Sequence, residues 1–246
     1  MSISVIIPAL NEEATVAAVV EAMLADAPAE VLVIDADSVD GTAAEAEAAG
    51  ARVLNWREIL PLEPWPGKGE SLWRGVAAAR GEVVVFIDAD LTRPVPGMVN
   101  ALAAPFQDPA IHLVKADYRR SYQGQPNGGG RVTELTAKPL LRLLFPALGG
   151  VNQPLAGEYA LRRSTALDLP FVHGYGVEAG LLIDVMQRHG PAAIAQVDLG
   201  LRHHRNRPLA ELGPMAEVVA ATILARAGQG EIRERPALSA ILDPLI

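Results

Sequence analysis

Asp88 and Asp90 end the apolar run "VVVFIDADLTRP" one residue apart, and a strand that stops on two carboxylates is placed to do chemistry. Side chains alternate along an extended chain, so one carboxylate can face a metal ion while the other meets a sugar or ribose hydroxyl. Magnesium suits such a pair, because it takes oxygen ligands and commonly bridges a carboxylate to a diphosphate. Spacing alone does not decide the matter: a second "DAD" stands at 35–37, and a carboxylate ahead of Pro94 can equally cap a helix.

Five other stretches carry candidate ligands. Lys68 in "PWPGKGESLW" sits between two glycines just before a predicted helix, where a cation and free amides suit a phosphate or simply punctuate a loop; the spacing is not that of a Walker motif. In "DADSVDGT", Asp35 and Asp37 can bind a base or ribose, while Asp40 and Gly41 can merely turn the chain into the next helix. "NGGGRVTE" places Arg131 and Thr133 at the opening of a helix after Gly128–Gly130, a site for a phosphate or carboxylate or a flexible, capped loop. In "HHRNRP", His204 can complete a carboxylate metal site or be a solvated histidine, and Glu178 in "YGVEAG" can act in a site or complement a helix dipole.

The elements that must position these residues alternate. "SVIIP" predicts a strand and "NEEATVAAVVEAML" a helix capped by Asn11 with Glu12 and Glu13 in its first turn. "EVLVID" and "GTAAEAEAAG" repeat the unit, "ARVLN" is a shorter strand, and "GESLWRGVAAAR" is a helix leading into "EVVVFID". Continuous apolar strands of this kind suit a mainly parallel sheet with helices on both faces, whose ligands bind beyond the carboxyl ends of the strands. "PALNEE", "DADSVDGT" and "DADLTRP" therefore share one rim. After residue 105 the pattern loosens into a mixed half: a strand at "IHLVKADYRR", a loop at "GQPNGGG", helices at "RVTELTAKPLLRLLF" and "GYGVEAGLLIDVMQRHG", a strand at "AIAQVDLGLRH" and a long helix at "LAELGPMAEVVAATILARA". The expected organisation is a single α/β domain, 1–246, with an alternating half at 1–105, a mixed half at 106–228 and an extension at 229–246, ordered or partner-binding.

Composition narrows the function classes. The chain has 246 residues, 21 basic against 29 acidic, and lacks the basic run that a nucleic-acid or anionic-membrane surface needs. Cysteine is absent, which excludes disulfides, thiolate catalysis and cysteine-ligated zinc and leaves oxygen or imidazole for any metal. The first residues do not read as a signal peptide and no apolar run approaches about 18 residues, so a cytoplasmic location without a membrane span is expected.

In order along the chain, "IIPALNEEATV", "VIDADSVDGT", "PWPGKGESLWRG", "VVVFIDADLTRP", "GGGRVTEL", "QPLAGEYALRR", "GYGVEAGLLID" and "AQVDLGLRHHRNRPLAELG" resemble the glucosyl-3-phosphoglycerate synthases, retaining glycosyltransferases of GT-A fold. The resemblance covers about residues 3–215. It implies transfer of glucose from a nucleotide sugar, usually UDP-glucose, to D-3-phosphoglycerate, with Mg2+, Mn2+ or Co2+ as cofactor. It implies that Pro8, Ala9, Leu10, Glu12, Asp35, Ala36, Lys68, Asp88, Ala89 and Asp90 bind the donor, and that Asp90 and His204 bind the metal. Gly130, Arg131, Thr133 and Asn206 would bind the acceptor, and Asp88, Glu178 and the backbone at Leu155 would lie at the reacting sugar. The resemblance also favours a homodimer. Ala36 stands where the family often has a serine, which leaves a mannose donor or GDP open. A mannosyl-3-phosphoglycerate synthase and a silent nucleotide-sugar binder are the competing readings; a nucleotidyltransferase would need a glycine-rich loop in place of "PALNEE".

Overall fold

Strands that are apolar on both faces have to be covered twice, and that requirement organises the molecule. In the computed structural model, which describes residues 1–122, 125–126, 130–203 and 209–242, β1 (Ile3–Ala9), β2 (Glu30–Asp35), β3 (Arg52–Asn55) and β4 (Val83–Phe86) run parallel in the order β3-β2-β1-β4. They are joined through α1 (Val16–Leu24), α2 (Thr42–Ala48), α3 (Trp56–Ile59) and α4 (Lys68–Ala78). Alternation then sorts the side chains. Val5, Ile7, Val31, Val33, Val83 and Val85 share a core with α1 and with Met98, Val99 and Leu102 of α5 (Met98–Ala103). Ile6, Leu32, Ile34, Val84 and Phe86 point the other way, into a second core with Leu72, Trp73 and Val76 of α4.

The second half extends the same sheet. β5 (Leu113–Tyr122) carries the two-residue β6 (Gln125–Pro126) at its end, and α6 (Lys138–Leu144) follows a π-helical stretch at Thr133–Ala137. β7 (Tyr159–Arg162) inserts between β4 and β5, antiparallel to both. After α7 (Arg163–Leu167), β8 (Phe171–Val172) and α8 (Val177–His189), β9 (Ile194–His203) returns parallel to β5. α8 and α9 (Leu209–Arg226) complete the core over α4, with Leu182, Ile183, Val219 and Ile223 buried there. β10 (Glu234–Arg235) pairs with β8, and α10 (Ser239–Leu242) follows, so the described part of the C-terminal extension is ordered against the domain. Among the described residues no helix is long and apolar enough to cross a membrane.

The structure departs from the sequence reading in several places, the loops after β1 and the short elements among them. Asn11 does not cap α1, which begins only at Val16; it takes the left-handed conformation (φ +57°) and accepts the Val39 N–H at 2.9 Å while donating its own N–H to Ser38 Oγ at 3.0 Å. Asparagine tolerates that region, and the gain is a tie between the loops after β1 and β2. Glu12 and Glu13 join the same lacing, Glu12 N–H to Thr42 Oγ1 at 2.7 Å and Glu13 Oε2 from Gly41 N–H at 2.8 Å, instead of occupying the first turn of α1. The strand β7 and the helix α5 are absent from the sequence reading, since four and six residues are too few to show a period.

β5 brings one cation into the interior. Lys115, 1% exposed, donates to the Ala156 carbonyl at 2.8 Å, and its Nζ lies 4.3 Å from the centre of the Tyr159 ring. Burial pushes the amine down to about 7, against the opposing pull of the Glu178 carboxylate. An unfolded lysine titrates near ~10.4, so between about pH 7 and ~9.5 the unfolded chain binds a proton that the folded chain lacks, and stability rises with pH across that window. In denaturant titrations at steps through that range, Lys115→Met is expected to show a flatter rise than the native chain; identical slopes would contradict the assignment. Gly75 of α4 lies against β1, where an added Cβ would stand 2.5 Å from Ile6 Cγ2. Gly75→Ala is accordingly expected to cost about 1–3 kcal/mol of unfolding free energy, read from the same titrations, and an unchanged midpoint would show that the helix shifts at no cost.

Candidate active site

A cleft of about 550 Å³ opens beyond the carboxyl ends of β1, β2 and β4, where an open α/β sheet presents its ligands. Pro8 and Ala9 end β1 and Leu10 and Glu12 follow it; Ala36 follows β2; Asp88, Ala89 and Asp90 follow β4. The opposite wall comes from the second half of the chain: Gly130, Arg131 and Thr133, then Leu155, and Glu178 in the first turn of α8. The sequence candidates thus converge on one cavity. Asp35 does not line it: it ends β2 with 7% exposure, and its carboxylate accepts the Ser38 N–H at 3.3 Å, holding the turn that presents Ala36. His204 and Asn206 lie outside the described residues.

Lys68 stands at the centre. It is the first residue of α4, entered through Gly67 at φ +115°, a conformation that L side chains rarely adopt. Its Nζ lies 2.5 Å from Asp88 Oδ1 and 2.7 Å from Glu178 Oε1, so one ammonium is clamped between carboxylates from the end of β4 and the start of α8. Burial works against this charge, but the Asp88 carboxylate, seconded by Glu178, outweighs it and holds the amine well above the usual lysine range. Lys68 therefore stays cationic while sitting mostly out of solvent. The clamp also dictates a neighbour: a Cβ on Gly157 would overlap the Asp88 carboxylate, so only glycine fits there.

The far wall is shaped for an anion. Gly130 (φ +77°) leads into Arg131, and its carbonyl accepts the Glu134 N–H at 2.9 Å, so Arg131 to Thr133 form a helix opening on the cleft. The π-helical turn from Thr133 widens the helix at that point, a distortion often found at functional sites. A guanidinium beside helix-start amides can hold a phosphate or carboxylate.

Sequence reading missed the apolar side. Leu212, Met215 and Val219 line the cleft from α9, and Tyr175, 42% exposed, stands at its edge on the short turn before α8. Trp56 and Tyr118 complete it. The α9 residues look like ordinary core positions of an amphipathic helix; only the glycines flanking Tyr175 gave a local signal.

Asp88 and Asp90 both line the cleft, and among the described residues there is no group of three His, Asp or Glu side chains that would form a protein-only metal cage. That donor set fits a hard divalent cation whose remaining ligands come from a diphosphate, the usual habit of magnesium and manganese sites.

The model of glycosyl transferase family 2 matches residues 4–168. The glucosyl-3-phosphoglycerate synthase of Mycobacterium tuberculosis (strain H37Rv) is 52% identical over 239 residues, covering 92% of this chain and 74% of its own length. That of Petrotoga mobilis is 42% identical over 238 residues, covering 92% and 73%. A crystal structure of the M. tuberculosis synthase in complex with Mn2+, UDP-glucose and phosphoglyceric acid superposes with a TM-score of 0.91 at 46% identity, over 98% of this chain and 91% of that one. Another, holding Mn2+, UDP and glucosyl-3-phosphoglycerate, gives the same 0.91 over the same shares. With a parallel-sheet rim, and with Asp88, Asp90, Lys68 and Arg131 lining one cleft, and likeness of this extent, the chain belongs to glycosyl transferase family 2 and, within it, to the glucosyl-3-phosphoglycerate synthases.

Proposed function

We propose that the protein transfers glucose from UDP-glucose to the hydroxyl of D-3-phosphoglycerate with retention of configuration, releasing UDP and glucosyl-3-phosphoglycerate. The observation that carries this reading is a single cleft lined both by a carboxylate-clamped ammonium and by Arg131 at a helix opening. A donor diphosphate and an acidic acceptor are the pair of substrates that such a lining sorts. The likeness to a synthase whose structures contain UDP-glucose, phosphoglyceric acid and the glucosylated product supports the same choice.

Pro8, Ala9, Leu10, Glu12 and Ala36 take the nucleoside along the rim, and Ala89 sits between the two carboxylates that meet ribose, sugar and diphosphate. A divalent cation, held by Asp90 and His204, would neutralise the diphosphate and withdraw charge from the leaving oxygen. Lys68 serves the same departing charge from the protein side, and its burial makes a fixed ammonium worth more than one in water. Gly130, Arg131, Thr133 and Asn206 hold the acceptor by its phosphate or carboxylate. With the acceptor hydroxyl on the same face as the leaving diphosphate, the bond from the sugar carbon to the acceptor oxygen forms as the bond to UDP breaks. The hydroxyl proton passes to the UDP oxygen that leaves. Glu178 and the Leu155 backbone flank the reacting carbon, where a carboxylate steadies developing positive charge on the sugar.

Magnesium as the working metal, a homodimer and a cytoplasmic location belong to the same proposal. Manganese in the relative supports a hard divalent ion, and the absence of cysteine agrees with a reducing compartment.

Nucleoside-diphosphate release, measured with UDP-glucose, GDP-glucose and GDP-mannose, with and without 3-phosphoglycerate, metal and chelator, tests the reading. Release is expected only with UDP-glucose, 3-phosphoglycerate and metal together; release that ignores 3-phosphoglycerate would overturn the acceptor. Asp90→Ala is expected to remove metal-dependent turnover with the fold retained, and near-native rates would remove Asp90 from the metal site. Lys68→Met is expected to lower kcat by about 10²-fold or more, whereas a change confined to KM would reduce Lys68 to a binding role. Arg131→Ala is expected to raise the KM for 3-phosphoglycerate by about tenfold or more with the KM for UDP-glucose little changed; equal effects would move Arg131 out of the acceptor site.

A further inference from the structure

Residues 233–236 touch nothing in the cleft, yet they hold the two pieces of chain that flank Lys68. Arg235, 7% exposed, donates from Nε to Glu70 Oε2 at 2.7 Å and from Nη2 to Glu70 Oε1 at 2.9 Å and to the Glu63 carbonyl at 2.6 Å. Glu70 lies in the same first turn of α4 as Lys68. The guanidinium groups of Arg233 and Arg235 each stack on the Trp65 ring, 3.9 Å from its centre, and the Trp73 indole N–H donates to the Pro236 carbonyl at 3.0 Å. The loop that these contacts fasten, 63–67, ends in Pro66 and Gly67, which line the cleft next to Lys68. On its other edge the tail strand pairs with β8, and the Arg233 carbonyl accepts the N–H of His173, one residue before the glycine turn that carries Tyr175. There α4 and β8 meet so closely that a Cβ on Gly69 would overlap the Val172 carbonyl. One short strand thus fixes both the Pro66–Lys68 wall and the Tyr175 wall.

We propose that Arg235 is a positioning residue for the nucleotide sugar: through Glu70, the Glu63 carbonyl and Trp65 it holds the 63–67 loop and the first turn of α4, so that Lys68 meets the donor diphosphate in register. The proposal rests on the assignment of the cleft to UDP-glucose. Glu70 keeps a second partner in Arg74, whose Nε lies 2.7 Å from Oε1, so removing Arg235 leaves the carboxylate paired through that oxygen while Oε2 loses the Arg235 Nε donor. The loop instead loses its tether, and misplacement of a catalytic cation by about 1 Å can cost up to about 10²-fold in rate.

The test compares the native protein with Arg235→Met and with Trp65→Leu, which removes the stacking surface and leaves every ion pair in place. UDP-glucose binding is measured by calorimetry with Mn2+, and KM and kcat are taken for both substrates at a temperature at which circular dichroism shows all three proteins folded. Both variants are expected to lower kcat by about tenfold or more, as a misplaced Lys68 requires, and to bind UDP-glucose more weakly, with the KM for 3-phosphoglycerate within about twofold of native. Native-like kcat together with native-like UDP-glucose binding in both variants would overturn the positioning role, as would equal rises in KM for both substrates, the mark of a merely structural strap. Failure of the native protein itself to bind UDP-glucose would instead overturn the reading of the cleft.

Discussion

The structure depends on one buried ammonium. Lys68, clamped at 2.5 Å by Asp88 and at 2.7 Å by Glu178, joins residues from the start of α4, the end of β4 and the start of α8. A charge taken out of water is tolerated only when it is matched at close range, and the matching explains the surrounding sequence. Gly157 leaves room for the Asp88 carboxylate, Gly67 takes the backbone conformation that delivers Lys68, and Gly69 lets α4 press on β8. The clamp also ties the first half of the chain, through Lys68 and Asp88, to the second, through Glu178.

Lys115 shows the complementary case. It feels the same carboxylates, yet it donates to a carbonyl and faces an aromatic ring, and burial brings its pKa to about 7. Asp88 and Glu178 share the Lys68 ammonium, and with Asp90 lining the same cleft the carboxylates set up a negative field that attracts a divalent ion. The same field would repel a bare diphosphate, which makes metal and nucleotide sugar natural companions rather than separate guests.

Much of this was legible in the sequence because it is written in local patterns. Apolar runs ending on "PAL" and "DAD" place Pro8 and Asp88 on a rim by strand alternation alone, and "GGGRVTE" marks a helix opening with an arginine. What was hidden depends on long-range pairing. The four residues of β7 become a strand only between β4 and β5, the carboxylate of Asp35 is turned to its own loop, and Asn11 caps nothing because Ser38 and Val39 lie within its reach. Arg235 and Glu70 are 165 residues apart, and no window of sequence pairs them. The apolar wall of Leu212, Met215 and Val219 was unreadable for another reason: a residue facing a cleft and one facing a core carry the same signature.

The central claim concerns where the acceptor stands relative to the leaving group, and the anomeric configuration of the product reports it directly. Proton NMR of a reaction containing UDP-glucose, D-3-phosphoglycerate and Mn2+ would follow the anomeric signal of the donor into the product. The account predicts that the α linkage of UDP-glucose reappears as an α-glucosyl ether of phosphoglycerate, as same-face transfer in the Lys68 cleft requires. A β-linked product, or glucose released without linkage to phosphoglycerate, would contradict it.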